Sequence, residues 1–210
     1  MTKAYGCRLS FLVPVACLLL TCLAYTQDVP SRGYPTIHPN LEARISGLPF
    51  LQAQSTDAPD VLAAALATVL KDRDLCCDRQ SALEGRLPQS DPVSLKEVAA
   101  KLQGRQLRTD GRPVLITAEL LAPAAVTAAR LVSAMRANHA PLMEWNSHLY
   151  VVAGLIYDDA LYTDGMTTYV VHKLLLVDPR YSDARREVVF DRDTEDMSRV
   201  SLLFLTVAAQ

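Results

Sequence analysis

Trp145-Asn146-Ser147-His148-Leu149-Tyr150-Val151-Val152-Ala153-Gly154 and, further on, Leu174-Leu175-Leu176-Val177-Asp178-Pro179-Arg180 decide the fold. In the first stretch a histidine opens a strand-like run. In the second an apolar run closes on an aspartate that stands before a proline. Around them the grammar from Pro141 onward is β, with strands predicted over 142–145, 148–156, 169–177, 186–190 and 201–207. Strands that follow one another so closely predict an antiparallel sheet.

The preceding half reads as helical. Asp57-Ala58-Pro59-Asp60 carries a cap, an early-turn proline and an acidic first turn. The body that follows, Val61-Leu62-Ala63-Ala64-Ala65-Leu66-Ala67-Thr68-Val69-Leu70, is apolar on every side, which predicts a helix buried all round. It is too short to span a bilayer. Further helices are expected near 78–84, after the capping box Ser94-x-x-Glu97 and ending at Gly104, and over 124–138 with the turn out at Asn138-His139-Ala140-Pro141. A short strand is expected over 114–117 and another over 48–52. Helices first and strands later make an α+β domain.

With 210 residues, 50% hydrophobic and 21% charged, the chain is long enough for one domain with a full core. A net charge of -2 supplies no concentrated basic face, so nucleic acid is not an expected partner. Residues 1–24 read as a secretory signal: Lys3 and Arg8, an apolar run over 9–20, then Thr21, Cys22 and Ala24. Two alternatives stay open. Leu19-Leu20-Thr21-Cys22 resembles a lipobox that would acylate Cys22, and an uncleaved anchor is the other, although a span needs about 20 apolar residues. The expected location is secreted or periplasmic, with membrane attachment only through this segment. Residues 25–47, with Pro30, Gly33, Pro35 and Pro39, form an extended lead-in to a domain over 48–210.

Outside the signal the only cysteines are Cys76 and Cys77. Adjacent cysteines can form a vicinal disulfide, stay as buried thiols or pair between chains, and they make no zinc signature. His38, His139 and His172 are scattered without ligand spacing. Residues 191–196 lack the Gly and Glu of a calcium loop and read as a solvated charged turn. There is no phosphate loop, dinucleotide fingerprint or metalloprotease helix motif, so neither cofactor nor metal is expected. Trp145 reads as a core or rim aromatic.

A buried Ala-rich helix, further helices, a strand beginning at His148 and a strand ending in Asp178-Pro179 resemble, in that order, the papain-like cysteine peptidases of compact bacterial type, close to the bacteriocin-leader-processing peptidases. The resemblance runs from about residue 48 to 207 and is best in the second half. It implies that His148 is the general base, Asp178 the acid that orients it, and Gln54 the oxyanion donor, with Gln52 as second choice. The family's Cys-Trp-Ala-Ala-Ala stands here as Val61-Leu62-Ala63-Ala64-Ala65, or with Asp60 at the nucleophile position after a slip of one. Neither residue is a thiol, and loss of the nucleophile alone costs a triad enzyme roughly 10⁶-fold. The expectation is a non-catalytic relative whose cleft binds a peptide or protein segment. One rival is an active peptidase or transferase using Cys77 or Cys76, with Arg73 and Arg79 nearby in sequence to lower the thiol pKa. Ser55 and Thr56 are lesser nucleophile candidates. A structural envelope scaffold is a third reading.

Overall fold

The computed structural model describes residues 33–48, 51–70, 94–107, 112–183 and 186–209. The all-apolar stretch is helix α1, Ala58–Leu70. It starts where expected: the Val61 N–H donates to the Asp57 carbonyl at 3.1 Å, and Asp60 lies in the first turn. From Asp60 to Leu70 every residue but Ala67 is buried. Leu62 and Leu66 are fully enclosed, and burying a leucine of this kind contributes about 1.5–3 kcal/mol. The one hydroxyl on this face is satisfied. Thr68 Oγ1 donates to the Ala64 carbonyl at 2.8 Å and accepts the Leu51 N–H at 3.2 Å, tying the incoming chain to the helix.

Against α1 stands an antiparallel sheet of eight strands: β1 Thr36–Arg44, β2 Gly104–Leu107, β3 Pro113–Leu121, β4 Leu142–Trp145, β5 His148–Leu161, β6 Thr167–Val177, β7 Glu187–Asp191 and β8 Val200–Ala209. Their spatial order is β2-β3-β8-β4-β5-β6-β7, with β1 pairing β5 as well. β6 runs along most of β5, so β4 and β1 share the opposite edge, β4 on 148–151 and β1 on 154–161. α1 contacts β8, β4 and β5, the middle of the sheet. Two further helices, α2 Leu95–Leu102 and α3 Ala128–Arg136, pack on β3 and β8 and on β6, β1 and β5 respectively. The mixed α+β class is as expected, with the sheet the larger part. Among the described residues no helix is long and apolar enough to cross a membrane.

Several boundaries differ from the sequence reading, each for a local reason. The extended lead-in is partly a strand: β1 lies within 25–47 and is clamped to β5 by side chains. His38 Nδ1 meets Asp159 Oδ1 at 2.6 Å, and the Asn40 N–H donates to Asp158 Oδ1 at 2.8 Å. That amide, followed by the His172 ring at 3.0 Å, holds the Asp158 carboxyl below its ordinary pKa. Leu48 and residues 51–52 are not in a strand. Ser94 stands at the N-cap of α2, but its side chain makes no capping bond; the Leu95 N–H points to Glu144 Oε2 at 3.4 Å. The helix expected over 124–138 begins later, after a 3₁₀ turn at Pro123–Ala125, because Thr127 caps it by accepting the Arg130 N–H. It ends at Arg136, just before the expected bound, and Asn138 makes the turn out at φ 60°. Past Asp191, the last residue of β7, the chain makes the anticipated turn, exposed over 193–196, with the Thr194 and Glu195 amides donating to the Asp191 carbonyl. The expected helix near 78–84 and the signal over 1–24 lie outside the described residues.

Two features place the first quoted stretch. β4 and β5 are joined by Asn146 and Ser147 alone, both at positive φ (51° and 61°), the two-residue hairpin turn that matches strand twist. Gly154 then allows β1 to come close, since a Cβ there would sit 2.8 Å from the Ala43 carbonyl oxygen. Gly154→Ala should therefore push β1 off the sheet edge and lower stability by about 1–3 kcal/mol, read as a lower urea midpoint at unchanged slope.

Candidate functional site

Three chain segments meet at the mouth of α1. The hairpin turn presents Ser147 and His148 at the start of β5. The segment leading into α1 brings Thr56, Ala58 and Val61. The turn after β6 brings Arg180. Together with Leu149 these residues line a recess of about 140 Å³. A backbone hydrogen bond holds two of the segments in place: the Ala53 N–H donates to the Pro179 carbonyl at 2.9 Å, so the turn after β6 braces the chain just before the helix. Two other cavities lie elsewhere. One of about 180 Å³ is lined by Leu175, Val177, Val188 and Val189 with Arg44 and Glu187, and one of about 300 Å³ flanks the far end of α1 beside Asn138, His139 and Thr206.

His148 and Val61 thus face one recess. Asp60 is buried and does not line it, so of the two nucleophile alignments the recess presents the valine. Thr56 contributes a hydroxyl to the lining. His148 itself is exposed, and its ring makes no hydrogen bond to a hydroxyl or a carboxylate among the described residues. Gln54 and Gln52 are exposed and lie outside the lining. Cys76 and Cys77 lie outside the described residues.

Asp178 behaves differently from the expectation. It sits at the end of β6, one residue past Val177, which pairs with Val151. It is 2% exposed. Its carboxylate accepts Arg180 Nε at 2.9 and 3.1 Å, Arg180 Nη2 at 2.5 Å and the Arg180 amide at 3.0 Å. A carboxylate buried this deeply needs a counter-charge, and a guanidinium two residues along meets it with a fork of two nitrogens. Those hydrogen bonds raise the Arg180 pKa against the opposing effect of burial. The acid is committed to Arg180, and no hydrogen bond joins it to His148 among the described residues.

Tyr150 completes the cluster. Burial first, and the Asp178 charge second, push its phenol above the ordinary value, while Arg180 pulls it back. Trp145 packs edge-on against Phe190 at 5.0 Å and near Tyr150 at 5.9 Å, which makes it a rim aromatic of the core as expected. His38 and His172 pair with Asp159 and Asp158, away from this recess. Among the described residues no group of three or more His, Cys, Asp or Glu side chains could hold a metal. No protein-family profile, curated protein or solved structure matches this chain.

The residue that sequence reasoning passed over is Arg180. The signal was present, since Asp178-Pro179-Arg180 sets a cation two residues beyond the acid across a turn. Ser147 was likewise read only as part of the run.

Asp178→Asn should cost about 1.5–3 kcal/mol in denaturant unfolding, the usual worth of hydrogen bonds to a charged group, and leave the His148 ring resonances in place. Adding Arg180→Gln should recover part of that loss. A second expectation concerns alkali. A phenol whose folded pKa is raised stabilises fully below its unfolded value of 10.0 and loses that contribution as pH rises through the folded value. Stability should therefore fall with pH above about 10, and Tyr150→Phe should flatten that limb of the profile.

Proposed function

We propose that this chain is an exported papain-like domain without its thiol nucleophile, and that it binds an extended peptide or protein segment in the cleft at the mouth of α1. The observation that carries the reading is a histidine and a valine lining one recess at the start of a buried helix. Nucleophilic catalysis needs a nucleophile within about 2.6–3.2 Å of its base and a third group orienting the base. Among the described residues His148 has neither, and Asp178 is taken by Arg180. What remains supports recognition: a concave site between helix and sheet, with hydroxyl, imidazole and guanidinium groups converging on it. Export rests on the signal-like composition of residues 1–24.

The test combines a thiol probe with a binding assay on the purified protein. Under this reading iodoacetamide or an epoxide labels Cys76 and Cys77 no faster than free cysteine, and His148→Ala changes neither rate. An immobilised sample retains peptides from a random library, and Val61→Trp, which fills the recess, abolishes retention. Fast labelling at either thiol that disappears in His148→Ala would overturn the binding role in favour of an active peptidase or transferase.

A further inference from the structure

We infer that the recess beside His148 takes a carboxylate, as the chain end or an acidic side chain of the bound segment. This rests on the peptide-binding reading above. The charge layout of the lining carries it. Among the described residues the ionisable side chains that line the recess are His148 and Arg180, accompanied by the hydroxyls of Thr56 and Ser147, and no carboxylate lines it. The negative member of the Asp178–Arg180 pair lies behind, with its side chain 3% exposed, whereas the Arg180 side chain is 20% exposed and reaches the recess. The pair is neutral as a whole, yet a ligand in the recess meets its cationic face.

The guanidinium is held from two sides. Nε and Nη2 go to Asp178, and the Tyr150 phenol takes a further hydrogen bond from the same group. The Asp178 grip and the Tyr181 ring, 5.5 Å from the Arg180 carbon, fix the fork in one orientation. A preorganised guanidinium loses less freedom on binding an anion than a loose one. Four side chains able to donate, with no competing anion in the lining among the described residues, complement a group that only accepts. An ionised carboxylate is such a group.

Size narrows the ligand further. At about 140 Å³ the recess is well below the roughly 300–1,000 Å³ that a whole small-molecule ligand occupies. It holds one terminal group of something longer, whose remainder lies along the open side.

The probe is a set of three N-acetylated hexapeptide pools, offered to the immobilised protein and quantified by mass spectrometry. One pool ends in a free carboxylate and has no acidic residues. One is C-terminally amidated and has no acidic residues. One is amidated and contains Asp or Glu. The expected result is retention of a carboxylate-bearing pool over the neutral amide by on the order of tenfold to a hundredfold. Which of the two carboxylate pools is retained identifies the source. The preference should vanish in His148→Gln combined with Asp178→Asn and Arg180→Gln, a set that leaves no buried charge alone. Equal retention of all three pools would overturn the carboxylate inference and leave the peptide reading standing. Should no pool be retained, the peptide reading fails, and titration with N-acetylalanine, followed on the His148 ring protons, decides the inference alone. Saturable shifts absent with N-acetylalanine amide support it; no shift overturns it.

Discussion

A carboxylate at 2% exposure cannot stay ionised without a partner, and the partner that Asp178 finds governs the site. Arg180 is close enough only because the chain turns at once through Pro179. That turn offers the Pro179 carbonyl to the Ala53 amide, and so fixes the segment that feeds α1. One ion pair thus sets the end of β6, the approach to the central helix and the cationic wall of the recess. The same pairing withdraws Asp178 from His148. The one relation expected for this acid was with His148; the energetic need of its burial is met by Arg180 instead.

The second constraint is the length of β5. Fourteen residues are more than β4 can cover, and β1 takes up the remainder of that edge. β5 therefore joins the N-terminal strand, the hairpin that carries His148 and the β6 strand that carries Asp178. The two-residue turn leaves no slack in the placement of His148: it directly follows two positive-φ residues and pairs with Trp145, whose ring is anchored on Phe190. The imidazole is held at the rim by its backbone, and no acid on the described residues is needed to put it there.

Much of this was legible in the sequence, and the failures are instructive. The all-apolar helix was readable because no amphipathic alternative exists for Val61 to Leu70. β4 was readable to the residue, because apolar runs stop at Asn146-Ser147. β5 was read five residues short, at Ile156. The following Tyr157-Asp158-Asp159 resembles the start of a loop, and only its partners, the Asn40 amide and the rings of His172 and His38, make two consecutive aspartates tolerable in a strand. β1 was invisible for the same reason: with Pro39 in its middle and no buried residue, it is a strand because β5 needs an edge partner. The Ser94 side chain does not cap α2, and the acceptor that reaches its first amide, at Leu95, is Glu144 from β4, remote in sequence. At the site, residue types were readable and pairings were not. Spacing shows that an acid follows β6, but not which basic side chain will hold it.

That distinction bears on what the recess is for. In a hydrolase the acid acts on catalysis through the histidine, and its value lies in stabilising an imidazolium that exists only during reaction. Here Asp178 acts on a guanidinium that is charged at all times, so its stabilisation is permanent and belongs to the resting state. That permanence holds the recess wall in one orientation before any ligand arrives, which reduces the ordering cost of the binding proposed above. Among the described residues the recess thus combines an arginine oriented from behind by a buried acid with a histidine that has no thiol opposite it, and the binding role proposed above is built on that combination.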